Sequence, residues 1–309
     1  MQFGLMTEPH AGLTYQDLLG AALLAEDLGL AVFARSDHLL LPRLGPGNAT
    51  EAFATLAGLA RDTERIRLMV LVSPITFRHP AIIAKAAATI DEMSGGRFIL
   101  GLGTGWMDAE HEAFGIPFPP WTDRFALLEE AVAYIRAALG KAPGGFEGVH
   151  FRLGDFPVRP LPTGPLPIVI GGAGARRTPR LAGRYADEYN ATFVSTADLP
   201  PRVAAVRRAA EAAGRPEPVI STMGSAITGP DQASFRRNLE QVAAADPFGR
   251  TPDRLEEMLR ERGEPVGPAP QAREALAALE AAGVSRFYLQ HLGPFDRRLL
   301  EETFGVLCG

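Results

Sequence analysis

The chain has 309 residues, of which 46% are apolar and 22% charged, and a formal charge of −5. That balance suits one large or two ordinary globular units with a sizeable core. No block of like charge recommends nucleic acid or an anionic membrane as a partner, and no apolar run approaches the ~20 residues of a membrane span.

The first strand-like run begins at Gln2, so no signal peptide is expected. From there, short apolar runs alternate with helical patterns along nearly the whole chain. Strands are predicted at Gln2–Met6, Leu30–Arg35, Ile66–Val72, Phe98–Leu102, Pro167–Gly171, Glu188–Phe193, Val219–Ser225 and Phe287–Leu292. Helices are predicted at Tyr15–Leu28, Glu51–Asp62, Pro80–Met93, Arg124–Leu139, Thr178–Ala186, Pro201–Ala213, Gln271–Ala282 and near Asp296–Phe304. Eight such steps favour an α/β fold of the closed (β/α)8 TIM-barrel kind over an open doubly wound sheet, as a single domain over residues 1–309. Two stretches break the rhythm. Lys141–Leu166, rich in Gly and Pro with a hairpin strand predicted at Val149–Leu153, reads as an insertion after the fourth helix. Gly229–Pro270, with helical segments Gln232–Ala245 and Pro252–Arg262, reads as a second insertion after the seventh strand. The single cysteine, Cys308, offers neither a disulfide nor a cysteine-rich metal site and suits a reducing cytoplasm.

In a parallel barrel the chemistry belongs at the C-terminal ends of the strands. Arg35-Ser36-Asp37-His38 follows the second strand; there His38 either meets a bound ring or moves a proton, or is a partly exposed turn histidine beside Asp37. Ser73, at the end of the third strand, is a ligand contact or ordinary loop chemistry, and Arg78 and His79 suit a helix start. After the fourth strand, Gly101, Gly103 and Gly105 leave bare backbone where a ligand would rest, with Thr104 and Trp106 beside it. Glu110 and His111 follow as a cap or as lining of the mouth, where Trp106, Phe114, Phe118 and Trp121 suggest an apolar rim. A second histidine at metal-binding spacing is missing, since Gly115 stands there, so no metal is expected. After the fifth strand, Gly171, Gly172 and Gly174 with Arg176 and Arg177 before a helix suit a phosphate: exposed N–H groups, helix dipole and charge agree. A strand-to-helix turn also uses glycine, and the run is not the dinucleotide fingerprint, because Arg177 fills its last glycine position.

On the segments SDH (36–38), FRHPAIIAKAAATIDEMSGGRFILGLGTGW (77–106), EHEAFGIPFPP (110–120) and IGGAGARRTPRLAGRYADEYN (170–190), the chain resembles the luciferase-like monooxygenase superfamily, in its coenzyme F420-dependent oxidoreductase branch. The resemblance implies a luciferase-like TIM barrel that binds F420, or alternatively FMN, and passes a hydride between the cofactor and a small organic substrate. It carries the ring contacts over to His38, Ser73 and Thr104, with Asp37 and Trp106 beside them. It carries the phosphate contacts to Gly171, Gly172, Gly174, Arg176 and Arg177. It implies a bulged cis peptide behind the ring at Val72–Ser73, and a homodimer. His38 is the first candidate for the proton and Glu110 the second. Sugar-phosphate dehydrogenases of this branch carry a glutamate where Trp106 stands, which argues against glucose 6-phosphate as substrate. An FMN-dependent monooxygenase and a non-catalytic flavin-binding barrel are the other readings.

Overall fold

The computed structural model describes residues 1–40, 47–140, 145–156, 158–246, 248–291 and 295–309. Eight strands make a closed parallel barrel: β1 (Gln2–Thr7), β2 (Val32–Arg35), β3 (Arg67–Pro74), β4 (Phe98–Gly103), β5 (Ile168–Gly171), β6 (Glu188–Thr192), β7 (Val219–Gly224) and β8 (Arg286–His291). Their order round the barrel is β1-β8-β7-β6-β5-β4-β3-β2. Closure is made by β1 against β8, in register from Gln2 with Arg286 to Thr7 with His291. The predicted strands are thus all present, with small changes at their ends. Leu292, the last residue predicted for the eighth strand, lies outside the described residues, as do 141–144 and 157 of the first insertion and 247 of the second.

Alternation along each strand explains the two apolar layers. Met6, Val32, Ala34, Met69, Leu71, Ile99, Val169, Met223 and Tyr288 form the inner core. Their strand neighbours, such as Leu5, Phe33, Leu68, Leu100 and Phe287, face outward and pack with the helices. The helix Pro80–Ser94 shows how the sequence makes that layer. Pro80 occupies a first-turn position, the His79 ring accepts the Ala81 N–H at 3.1 Å, and Gly95 ends the helix at φ +66°. Ile83, Ala84, Ala87 and Ile90 lie buried on one face, and each full burial of a large aliphatic side chain is worth roughly 1.5–3 kcal/mol. At the opposite, N-terminal end of the barrel, Glu188, Arg286 and Tyr288 fill the interior, with the Tyr288 hydroxyl donating to Glu188 Oε1 at 2.9 Å.

Three local expectations change. The first insertion forms a hairpin, but its strands are only Phe146–Glu147 and Arg152–Leu153. Val149, predicted as strand, turns instead, because the N–H groups of Val149, His150 and Phe151 all donate to the Glu130 carboxylate. In the second insertion, Ile227–Gly229 and Val266–Pro268 pair as a small parallel sheet that the sequence reading lacked. That sheet and the helices Gln232–Ala244 and Pro252–Glu261 enclose a separate apolar cluster around Phe235, Leu239 and Leu259. The cis peptide lies at Leu71–Val72, one bond before the expected Val72–Ser73. The β3–β4 register explains the shift: Val70 pairs with Leu100 and Ser73 already with Leu102, so the extra residue is taken up before Ser73.

Candidate active site

The side chains with chemistry gather where expected, on the loops after β1, β2 and β4 and at the end of β8. Their central contact joins residues 72 positions apart: His38 Nδ1 lies 3.0 Å from Glu110 Oε1. Glu110 stands in a short helix, Asp108–Phe114, and is fully buried. Its other oxygen accepts the Leu39 N–H at 3.0 Å. A carboxylate only accepts, so the His38 proton on this side sits at Nδ1 and Nε2 is left for the site. Burial by itself would depress the His38 imidazole, but the Glu110 hydrogen bond and the charges of Glu8, Glu110 and Asp37 outweigh it and hold it above the usual histidine value. The Trp106 ring meets His38 edge-on at 5.5 Å and is otherwise exposed, 66% of its surface facing solvent. His38 and Glu110, read from the sequence as alternative proton donors, are therefore one unit.

Asp37 and Ser73 are both engaged by Arg78. Asp37 is buried and its two oxygens are held by Arg78, at 2.5 and 3.1 Å, while Arg78 also reaches Ser73 Oγ at 3.3 Å and Glu51. Arg78, read as a surface or cap residue, ties the β2 and β3 loops together. His111 is structural in the same way. Its Nδ1 donates to the Met107 carbonyl at 2.8 Å, so Nε2 accepts the Thr76 hydroxyl at 2.7 Å. Thr104 and Trp106 lie on a loop whose carbonyls at Thr104 and Gly105 accept from Arg124 Nη1, at 3.2 and 2.6 Å. The Arg124 guanidinium also stacks 3.8 Å over Phe118. The sequence reading had Arg124 only as the start of a helix, and no local signal marks an arginine that will fold back onto a loop.

The glycines of β4 serve the neighbouring strand before they serve a ligand. A Cβ at Gly101 would lie 2.1 Å from the Val70 carbonyl oxygen, and at Gly103 it would lie 2.7 Å from Val72 Cγ2. Gly171, at the end of β5, likewise has Val72 Cγ1 2.9 Å from that position. Three bare backbones thus admit the bulged Val72. Beyond Gly171 the chain enters the helix Arg177–Tyr185, whose N-cap residue Arg176 makes no side-chain cap and whose first turn has no acidic residue. A Cβ at Gly174 would lie 2.6 Å from Thr178 Oγ1, so a side chain there would need Thr178 to turn aside. Arg176 and Arg177 are exposed beside this uncapped end, with Arg177 5.7 Å above the Phe125 ring. A helix start without a side-chain cap, with two exposed guanidiniums beside it, suits a phosphate. Among the described residues no group of His, Cys, Asp or Glu could hold a metal ion.

The loop after β1 and the end of β8 add residues that the sequence did not single out. His10 Nδ1 is 3.3 Å from Glu8 Oε2, Glu8 Oε1 accepts from Gln290 Nε2 at 2.8 Å, and the His10 and His38 rings are 4.9 Å apart. A Glu-Pro-His run at a strand end was the available signal, but nothing local links it to His38.

Comparison with known proteins agrees with this architecture. A family model described as luciferase-like monooxygenase matches residues 1–296. An F420-dependent glucose-6-phosphate dehydrogenase of Kineococcus radiotolerans is 38% identical over 200 residues, 63% of this chain and 58% of that protein. Pyrimidine monooxygenase RutA of Escherichia coli is 36% identical over 172 residues, 53% of this chain and 46% of that protein. The chain thus matches less than two thirds of the length of these relatives. The coenzyme F420 dependent tetrahydromethanopterin reductase from Methanopyrus kandleri superposes with a TM-score of 0.80 over 98% of this chain and 97% of that one, at 22% identity, a likeness of fold alone.

Proposed function

The chain belongs to the luciferase-like monooxygenase family, and from that premise we propose that it is a coenzyme F420-dependent oxidoreductase that moves a hydride between the deazaflavin and a small organic substrate. The observation that carries the reading is the His38–Glu110 pair on the same barrel rim as an uncapped, arginine-flanked helix end. The residues fit the cofactor: the N–H groups from Ala173 to Arg177, with Arg176 and Arg177, would take the phosphate, while the Gly172 N–H is held by the Asn190 carbonyl at 3.1 Å; the Val72 bulge, Thr104 and Trp106 would face the ring. When bound, F420 would supply or accept the hydride. The protein's share is to orient the partners, exclude water and handle the proton. Glu110 fixes the His38 ring through Nδ1, and His38 Nε2 gives or takes the proton at the substrate heteroatom. Asp37 and Ser73, held by Arg78, keep the β2 and β3 loops in place around it.

Titrating the purified chain with F420 and with FMN tests this. Quenching of F420 fluorescence with little response from FMN is expected; tight FMN binding without F420 binding would overturn the reading in favour of an FMN-dependent monooxygenase, the Escherichia coli relative being named a pyrimidine monooxygenase. Turnover of reduced F420 with enones, imines and nitro compounds, or of oxidised F420 with alcohols, separates an enzyme from a barrel that only holds the cofactor. Trp106 in place of an acidic residue supports a substrate other than a sugar phosphate. We further propose that the chain acts as one domain, as a homodimer, in the cytoplasm. The pairing of β1 with β8 supports the first, and light scattering at twice the chain mass tests the second. For the third, among the described residues no helix is long and apolar enough to cross a membrane, and fractionation of cells checks it.

A further inference from the structure

Beside the His38–Glu110 pair lies a second imidazole–carboxylate couple to which the proposed reaction assigns no part. Glu8 and His10 follow β1, both are buried, and both are held: Glu8 by Gln290 of β8 at 2.8 Å, His10 by Ser36 Oγ at 3.4 Å. His10 Nδ1, whose hydrogen-bond partner is Ser36 Oγ, lies 3.3 Å from Glu8 Oε2, a charge contact rather than the 3.0 Å hydrogen bond that joins His38 Nδ1 to Glu110 Oε1. The two rings then meet at 4.9 Å with an interplanar angle of 60°. Four residues from three loops thus form one cluster of two imidazoles and two carboxyl groups.

We propose that Glu8 and His10 are positioning residues that keep a single positive charge on His38, with His10 the neutral member of the cluster. Two cationic rings this close repel, so their protons leave in separate steps. The surroundings decide the order. For His10 the largest effect is burial, which lowers it; Glu8 and Glu110 pull it back, and His38 and Arg35 push it down, leaving it below the usual histidine value. For His38 the opposing balance of burial against Glu110, Glu8 and Asp37 ends above it. Asp37 contributes while paired with Arg78. Divergent environments for two neighbouring titratable groups separate their roles.

On the oxidoreductase reading, on which this use of the proton rests, the cluster meets its substrate with a proton to give. The substrate class is then a carbonyl, imine or polarised alkene that is reduced. Reduced F420, when bound, would supply the hydride to the substrate carbon; the π pair would move to the heteroatom or the adjacent carbon, and that atom would take the Nε2 proton of His38. His38, left neutral, regains its proton from water.

The test needs no cofactor. In the full chain labelled with 13C-histidine, the ring signals of His10 and His38 are assigned by single His→Gln variants among the six histidines and followed against pH. His38 is expected to titrate above about 6.5 and His10 below it. Glu8→Gln, which keeps an oxygen for Gln290, is expected to lower the His38 midpoint by about half a pH unit, a threefold loss of the charged form above the midpoint, while Glu8→Asp retains most of the wild-type value. An unmoved His38 midpoint in Glu8→Gln with an unchanged circular dichroism spectrum, or a His10 midpoint above that of His38, overturns the proposal. F420 titration of the same variants keeps the two readings apart: loss of cofactor binding in the wild type would sink the proposed function and leave the charge assignment standing.

Discussion

Replacing Glu110 by Gln probes the contact on which the site turns. The Gln oxygen can still accept the Leu39 N–H, but its NH2 then faces a protonated His38 Nδ1, donor against donor. A hydrogen bond to a charged group contributes about 1.5–3 kcal/mol, so a loss of about 2 kcal/mol is expected while His38 carries its proton. With an m-value of about 4 kcal/mol/M for a chain of this length, the urea midpoint falls by roughly 0.5 M. The loss depends on pH with a definite sign. His38 is raised in the folded chain, so the stability its proton contributes is complete below the unfolded value of about 6.5 and disappears as pH rises through the higher folded value. The difference between wild type and Glu110→Gln, followed by circular dichroism in urea, is therefore expected to be largest near pH 5.5 and to shrink near pH 9. An equal difference at both pH values, or a larger one at pH 9, would refute the pairing of a cationic His38 with Glu110.

Gly101→Ala would put a methyl group 2.1 Å from the Val70 carbonyl oxygen; because backbone must move, a loss of about 3 kcal/mol or more is expected, read as a lower thermal midpoint or poor soluble yield. Glu188→Ala removes the acceptor of Arg286 Nη1 and of the Tyr288 hydroxyl inside the barrel, while Arg286 keeps Gln2 Oε1, and chemical unfolding should show a loss of about 3 kcal/mol. Arg177→Glu reverses an exposed charge beside the uncapped helix end. It should weaken F420 binding about tenfold in a fluorescence titration with the thermal midpoint unchanged, and unaltered affinity would move the phosphate elsewhere.

The fold was legible because its evidence is local. Apolar runs such as Phe98–Leu102, helices bounded by Pro80 and Gly95, and glycines at strand ends are each read within a dozen residues, and eight of them in alternation leave few topologies. The glycine run after β5 was legible for the same reason. Val149 was misread because the acceptor for its N–H, Glu130, stands in another element, and the cis bond was misplaced by one residue because a bulge is set by the register of β3 on β4. Periodicity and turn chemistry in the sequence alone determined a barrel of βα steps and the face on which its polar loops would lie. Only the tertiary structure decided that Glu110 serves His38, that Arg78 claims Asp37 and that Glu8 and His10 complete the cluster. Those partners come from separate strands, and the pairing of β8 with β1, β1 with β2, β2 with β3 and β3 with β4 is what brings their ends together on one rim.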